Sequence, residues 1–276
     1  MAAMQLTSWR RLRHILGKNE PLADDFINKR IYLPMIASIS SRIETYLDRI
    51  IKLDTYTEYF DTLAGQRNYP VKAWPISSVT SVKSDSLGLY DGSESTESNY
   101  YIGIDSNAVV LDSSVVPARK GLQIVYIGGL ALHGTQSQFV LASEGGTEIA
   151  AGNYVRGQTS GASGYVIEKT LTTITIEVLY GYFQEDETIE AAAGEDDDAI
   201  SGATAVLDSV TLRCLAESYP DIVLACEMEI RYMVDHRFDY ENFSTGKNTT
   251  RKDMTQDYNL LPEVRSLLDT YTEFRL

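Results

Sequence analysis

Residues that commonly carry chemistry are few in this chain. Its three histidines are His14, His133 and His236. Only His236 lies near charged residues on a predicted helix, Arg231 and Asp235, and a histidine in that setting is usually a surface residue. The chain contains no GxSxG, HExxH, Walker A or GxGxxG motif. We therefore expect no catalytic residues and no enzymatic activity.

Candidate metal ligands are equally sparse in the sequence. The acidic run EDDD at residues 195–198 would attract a cation, but it lacks the spaced ligands and central glycine of an EF-hand loop. A solvated loop is the more common role for such a run. Cys214 and Cys226 are the only two cysteines; they form no zinc-binding spacing and are too few for a disulfide framework. We expect no metal, no cofactor and a reducing compartment.

Composition and charge narrow the classes of function. With 276 residues, 43% of them hydrophobic and 23% charged, the chain has the profile of a folded protein. The net charge of -15 disfavours sequence-specific binding of nucleic acid, since such proteins carry basic surfaces. No apolar run is long enough to span a bilayer and the first residues do not resemble a signal peptide. We therefore expect a soluble protein that is neither secreted nor bound to a membrane.

The first half of the chain predicts helices followed by an antiparallel sheet. Residues 1–17 form a basic arm, which is either a short helix or a frayed terminus. Apolar residues at spacings of three and four predict an amphipathic helix from Pro34 to Ile51, with proline in its first turn. The alternating residues Thr55 to Tyr59 predict a half-buried strand. Further strands are predicted around residues 76–82, 100–104, 108–111 and 121–129, with a polar loop or hairpin tip at 84–99.

Residues 139–210 differ from the rest of the chain. Gly, Thr and Val are frequent there, and a near-repeat relates residues 152–168 to residues 186–210, which predicts two similar β units. Residues 171–179 alternate as a further strand. Residues 144–208 contain 13 acidic residues and two basic ones, a net charge of -11. Such an asymmetry indicates an acidic β-rich module inserted into a nearly neutral host.

The last part of the chain returns to helical periodicity. Pro220 precedes apolar residues spaced by four, which predicts a long core helix reaching about Tyr240, and Pro262 begins a shorter helix. The expected fold class is α+β, with N-terminal helices, a small antiparallel sheet, long C-terminal helices and an inserted all-β domain. The expected domains are a discontinuous core of residues 1–138 and 211–276 and an insert of residues 139–210.

The order of these parts resembles the head-tail connector, or neck adaptor, family of tailed bacteriophages. Each motif is short, but together they extend over about three quarters of the chain. The motifs are PLADDF (21–26), IETYLDR (43–49), WPISSV (74–79), IVYIGGL (124–130), the helix after Pro220, and LPEV (261–264) with the segment that follows it to Tyr271. Residues 139–210 depart from the family pattern and look like a small β module that recurs in phage structural proteins.

The resemblance implies a structural virion protein of the neck or tail, assembled in the cytoplasm of the host bacterium. Members form a homo-oligomeric ring, usually a dodecamer, between the portal protein and a downstream tail protein, the nozzle or stopper. Double-stranded DNA passes through the channel without sequence-specific binding. By position, the portal-binding residues would be Leu267, Leu268, Tyr271, Phe274 and Arg275. The alternative for these residues is a helix folded onto its own subunit.

Two other functions remain open at this point. The insert could be a binding module for carbohydrate, a receptor or tail fibres, with Tyr154, Tyr165, Tyr180 and Tyr182 as its interaction surface, because aromatic rings on one face stack on sugars. Scattered tyrosines would instead indicate ordinary packing. A glycan hydrolase would need two carboxylates about 5 to 9.5 Å apart in a cleft, and no feature of the sequence pairs any two.

Overall fold

The computed structural model of the chain describes residues 4–16, 25–194, 199–235 and 260–272. The fold is mostly β, with 40% of the residues in strands and 23% in helices. The predicted α+β class with long C-terminal helices is therefore wrong. No helix within the described ranges is long and apolar enough to cross a membrane. The helices are α1 (Trp9–Ile15), α2 (Asp25–Leu47), α3 (Leu215–Ser218), α4 (Pro220–Asp235) and α5 (Pro262–Leu268).

Thirteen strands account for the β content of the described residues. They confirm the strands predicted in the first half of the chain: the first and third extend beyond their predicted ranges, the sixth matches, the fifth is shorter, and the seventh begins earlier and ends one residue before its predicted end. The strands are β1 (Asp54–Thr62), β2 (Asn68–Pro70), β3 (Ile76–Ser84), β4 (Ser95–Thr96), β5 (Tyr100–Ile102), β6 (Ala108–Leu111), β7 (Ala118–Gly128), β8 (Gln136–Glu144), β9 (Tyr154–Gly157), β10 (Ser163–Lys169), β11 (Thr173–Tyr180), β12 (Thr188–Ala192) and β13 (Ala199–Leu212).

Residues Asp48–Leu132 form one compact unit, the sheet unit. It contains a four-stranded antiparallel sheet in the order β1-β7-β3-β4 and a three-stranded sheet in the order β2-β6-β5. β7 lies between β1 and β3 because its apolar residues suit a strand paired on both edges. Tyr56, Tyr69, Ile124 and Tyr126 are buried in the core of this unit.

The second compact unit consists of Met1–Leu47 and His133–Leu276. Its main feature is a closed antiparallel barrel of six strands in the order β10-β11-β8-β13-β12-β9. The near-repeat corresponds to two hairpins, β9–β10 and β12–β13, which lie side by side through the pairing of β9 with β12. Closure leaves no free edge, so all six strands share one core. The predicted division of the chain at residues 139 and 211 stays a prediction.

Small residues allow the barrel strands to approach closely. A Cβ on Gly164 would lie 2.4 Å from Cγ2 of Ile176, closer than two carbon atoms pack, so glycine is required at this position of β10. Val155, Val166 and Ile189 fill the interior. The predicted strand at residues 171–179 is confirmed as β11.

Helix α2 differs from the predicted helix at both ends, since it begins before Pro34 and ends at Leu47 instead of Ile51. α2 has 23 residues and contains Pro34 in its interior, whereas the sequence predicts that the helix begins there. The apolar stripe is as predicted, with Ile36, Ile39 and Ile43 fully buried. Pro34 itself is exposed, and the tertiary packing of this stripe holds the helix through a residue that removes one backbone hydrogen bond.

Of the predicted C-terminal helices, α4 is described to Asp235, and its predicted continuation to about Tyr240 lies outside the described residues. α4 has 16 residues, and its buried Ile222, Cys226 and Ile230 match the predicted spacing. α5 has seven residues and is followed by a 3-10 turn, Asp269–Tyr271. The hydroxyl of Thr270 donates to the Leu267 carbonyl at 3.1 Å. Such a side-chain bond competes with the regular helical pattern and favours an early end of the helix.

Candidate assembly surfaces

The predicted portal-binding residues lie on and just after α5. Leu268 is fully buried, whereas Leu267 is half-buried and keeps part of its side chain in solvent. The hydroxyl of Tyr271 donates to Asp221 at 3.3 Å, and its ring meets that of Tyr219 edge to face with centroids 6.1 Å apart. Phe274 and Arg275 lie outside the described residues.

Polar contacts hold the same segment on its own subunit. Tyr46 on α2 donates to Asp269 at 2.6 Å, and this hydrogen bond raises the pKa of Tyr46. The Leu261 amide donates to Glu229 on α4 at 3.0 Å. Together with buried Val264 and Leu268, these bonds make α5 an ordered helix packed on α4. Leu267 is then the residue among the described anchors that a partner would reach with least rearrangement.

The four tyrosines predicted as the insert surface occupy two places on the barrel. Tyr154 on β9 and Tyr165 on β10 are cross-strand neighbours, with ring centroids 5.2 Å apart in an edge-to-face arrangement. Tyr180, the last residue of β11, and Tyr182 flank Gly181 and are 63% and 58% exposed. Only the second pair offers open aromatic surface.

The basic N-terminal arm accounts for the difference between the two tyrosine pairs. The guanidinium of Arg10 lies 3.7 Å from the centroid of the Tyr165 ring and 4.7 Å from that of Trp9. Its Nη1 is 2.7 Å from Glu177 Oε2 on β11. The described part of the arm, residues 4–16, is therefore not frayed, because its helix α1 packs against β11 of the barrel.

A cluster of exposed apolar residues, the apolar rim, lies at one end of the sheet unit. The rim follows the ends of three paired strands, since Thr62 pairs with Ala118 and Ser84 with Leu122. Its members are 64% to 72% exposed: Leu63, Leu87, Leu89 and Val116. Single exposed apolar residues are ordinary, but several at one edge mark an interaction surface.

The loop that carries half of the rim has a defined shape. The carboxylate of Asp85 accepts backbone hydrogen bonds from Leu87, Leu89 and Tyr90 at 2.7 to 2.8 Å. Gly88 has a φ of +66°, and a Cβ there would lie 2.3 Å from the carbonyl oxygen of Arg119, so the loop packs tightly on β7. Leu87 and Leu89 are thus presented by a preorganised loop, which lowers the entropic cost of binding.

Replacing Asp85 with alanine is expected to release this loop. The amides of Tyr90 and Leu87 lower the pKa of Asp85 below its ordinary 3.8. The stabilisation is therefore present above that value and is lost as the pH falls through the lowered pKa. In Asp85→Ala, amide hydrogen exchange at Leu87, Leu89 and Tyr90 should accelerate by about tenfold or more, because these amides lose their hydrogen bonds to the carboxylate.

Exposed Asp112 provides the matched control for this prediction. Asp112→Ala removes the same charge from the same unit and should leave exchange in the loop unchanged. Equal protection in Asp85→Ala and the wild-type chain would show that the loop does not depend on its carboxylate.

The sequence prediction missed the apolar rim, although a signal was present. Leu87 and Leu89 lie within a stretch otherwise rich in Ser, Asp and Gly. Leucine is unusual in an exposed polar loop, so these two residues indicate a contact surface.

No group of three or more His, Cys, Asp or Glu residues in the described parts of the chain is arranged to hold a metal ion. The acidic run at 195–198 lies outside those parts.

Comparison with known proteins identifies no family. No protein-family model matches the chain, and no curated protein matches it. A solved structure described as the neck of an empty GTA particle, computed with C6 symmetry, matches 47% of this chain and 68% of its own chain. The TM-score is 0.37 and the identity is 12%, a likeness too low to carry an argument about fold or function.

Proposed function

We propose that the chain is a structural virion protein without catalytic activity. It forms a ring, expected to be a dodecamer, that joins the portal to a downstream tail protein and leaves a channel for DNA. The proposal takes the ring and the partners from the sequence resemblance to the connector family. The observation that carries it is the apolar rim, because a rigid loop presenting exposed leucines serves contact with another protein.

The charge of the chain suits passage of DNA. Carboxylates that line a channel repel phosphate groups, so DNA slides instead of binding. A net charge of -15 provides that repulsion without any sequence-reading surface. The downstream tail protein and, as a further candidate, tail fibres would meet the surfaces that face away from the portal.

The portal contact is assigned to the C-terminal segment. α5 is held in place by buried Val264 and Leu268, so the half-exposed Leu267 projects from a fixed helix. A partner can then cover Leu267 without the entropic cost of ordering the helix first. Phe274 and Arg275 stay assigned to this contact by sequence alone.

Replacing Leu267 with aspartate is expected to weaken portal binding at least tenfold. A charge would replace apolar surface at the contact, a change that typically costs 1.4 kcal/mol or more at a central interface position. The measurement is binding of the full-length chain to the portal protein of the same particle. Ser266→Asp, an exposed neighbour on the same helix, is the matched control and should bind within about twofold of the wild-type chain.

Electron cryomicroscopy of the complex tests the whole proposal. A ring of this chain seated on the portal, with residues 262–272 at the contact, is the expected result. A wild-type chain that does not bind the portal would overturn the proposed function. A ring in which α5 is remote from the portal would overturn the assignment of the contact alone.

A second candidate function is favoured by the exposed pair Tyr180 and Tyr182. Two tyrosines on either side of a glycine turn offer stacking surface for a sugar ring or for an aromatic side chain of a fibre protein. Under this alternative, the full-length chain binds on a glycan array and the double variant Y180A/Y182A does not. Binding that is absent from the wild-type chain would remove the carbohydrate form of this alternative.

A further inference from the structure

The sheet unit carries an exposed apolar residue at the end opposite the apolar rim. Ile104 lies in the turn between β5 and β6, and its side chain is fully exposed. The next residue, Asp105, is exposed as well. We call the pair Ile104 and Asp105 the hairpin tip. An exposed isoleucine at a tight turn, beside a single charged residue, is suited to insert into a pocket on a partner.

Hydrogen bonds show which end of the four-stranded sheet the hairpin tip occupies. The Ile76 amide donates to the Ser106 carbonyl at 2.6 Å, so the turn lies beside the first residue of β3. The apolar rim lies at the last residue, Ser84, which leads into the loop with Leu87 and Leu89. Nine residues of strand between these two ends correspond to about 26 Å at 3.3 Å per residue.

A groove lies at the rim end of the sheet. Its volume is about 440 Å³, enough for the tip of a hairpin. Leu87 and Val116 provide its apolar wall, and the serines at positions 84, 86, 93 and 95 line the rest together with Asp85 and Gly121. Serine hydroxyls can bond to the backbone of an inserted turn, whose own polar groups would otherwise lose their water on binding.

The charges around the groove complement the hairpin tip. The acidic residues are already engaged: Asp85 binds backbone amides, Glu94 pairs with Lys83 at 2.8 Å, and Glu97 accepts from Ser84. Arg119, exposed next to the loop, has no ion pair within the part of the chain that the structure describes. The next residue, Lys120, is exposed as well, so basic side chains lie beside the loop that borders the groove, and Asp105 carries the opposite charge.

We propose that the hairpin tip of one copy binds the groove of the next copy. Ile104 packs between Leu87 and Val116, and the carboxylate of Asp105 pairs with Arg119. This inference rests on the proposed function, since it names the contact that builds the ring. A tip and a groove on opposite ends of one unit join copies head to tail, and such heterologous contacts close into a ring when the rotation per copy allows.

The shape and charge of both elements favour a second copy as the occupant. The hairpin tip and the groove lie on the same chain, so an assembly of identical chains supplies them in equal numbers. A different partner at the groove would leave Ile104 in solvent. Closure of the ring removes both exposed apolar features from every subunit at once.

The test is self-association of the full-length chain, measured by sedimentation velocity over a range of concentrations. Ile104→Asp and Leu87→Asp should each weaken association by at least about 30-fold, the loss of one hot spot. Leu171→Asp is the matched control, because Leu171 is also an apolar residue at a hairpin tip and is 97% exposed. It should associate like the wild-type chain.

Mixing the two variants separates this contact from a symmetric one. The Ile104→Asp chain keeps its groove and the Leu87→Asp chain keeps its tip, so an equal mixture can form exactly one wild-type contact. The mixture should therefore stop at the dimer. An isologous interface that uses both residues would instead leave the mixture impaired in every contact.

Charge reversal tests the ion pair. D105R and R119D should each weaken association, and the double variant D105R/R119D should recover most of the loss, since every contact then contains one charge of each sign. A double variant that is weaker than both single variants would show that the two residues do not meet.

Three outcomes would overturn the inference: a wild-type chain that stays monomeric at every soluble concentration, an Ile104→Asp chain that associates like the wild-type chain, or a mixture that stays monomeric. Circular dichroism of each variant confirms that the fold is retained. Portal binding is measured separately, so a chain that binds the portal but fails these tests contradicts this contact and leaves the proposed function standing.

Discussion

Replacing Glu187 with alanine is expected to lower the free energy of unfolding by about 3 kcal/mol, because a buried carboxylate that serves several donors would be lost. Glu187 is 2% exposed at the start of the β12 region. It accepts from the backbone amides of Thr159 and Gln184 at 2.9 and 3.0 Å and from the Ser160 hydroxyl at 2.9 Å. The measurement is denaturant unfolding of the full chain.

The pH dependence of this contribution has a definite sign. Burial raises the pKa of Glu187, but the hydrogen bonds from Gln184 and Ser160 outweigh it, and the pKa is lowered below its ordinary 4.5. The stability that Glu187 adds is therefore present above that value and is lost as the pH falls through the lowered pKa. The difference between the wild-type chain and Glu187→Ala should shrink on acidification.

Two variants complete this experiment. Glu190→Ala, on the same strand and half-buried, should cost less than about 1 kcal/mol because its carboxylate has no comparable set of donors. Glu187→Gln keeps one acceptor oxygen and should fall between the two. Equal stability of Glu187→Ala and Glu190→Ala would mean that the loop at residues 159–160 is not organised by this carboxylate.

Replacing Arg10 with methionine is expected to be about as costly, at about 3 kcal/mol. The side chain of Glu177 is 4% exposed and lies 2.7 Å from Arg10 Nη1 through Oε2. Its other oxygen, Oε1, is buried and has no hydrogen-bond partner among the residues that the structure describes. Without Arg10, the carboxylate would be a buried charge with no compensating partner, and the stacking of the guanidinium on Trp9 and Tyr165 would be lost as well.

A double-mutant cycle assigns the cost of the Arg10 change. Arg10→Met/Glu177→Gln should recover much of the loss, because the neutral amide is far cheaper to bury than an unpaired carboxylate. Arg119→Met removes an exposed arginine and should change stability by less than about 0.5 kcal/mol. If the double variant has the same free energy of unfolding as Arg10→Met, the loss of stability comes from lost packing and not from the unpaired charge.

Local patterns in the sequence predicted the elements with clear periodicity. The spacing of Ile36, Ile39 and Ile43 reports one face of a helix because 3.6 residues complete a turn, and those residues are buried on α2. The alternation at Thr55 to Tyr59 reports a strand for the same geometric reason, and β1 confirms it. The near-repeat predicted two similar β units, and the structure shows them as the hairpins β9–β10 and β12–β13.

Contacts between distant residues decided the rest. The fold class was predicted wrongly because the extent and closure of the barrel depend on pairings such as β8 with β11 and β13, which no local pattern encodes. Pro34 lies within α2 because packing outweighs its local preference. The early end of α5 is favoured by the hydrogen bond of the Thr270 side chain, which the spacing of the apolar residues in this segment does not predict.

The candidate surfaces divide in the same way. The sequence by itself determined the acidic charge, the order of the connector-like motifs and the scarcity of catalytic residue types, all of which depend on composition and order alone. Only the tertiary structure decided that Arg10 covers Tyr165, that Leu268 is buried, and that Ile104 and the apolar rim lie at opposite ends of the sheet unit. The exposure and position of a side chain depend on contacts made throughout the fold, whereas its residue type is given by the sequence alone.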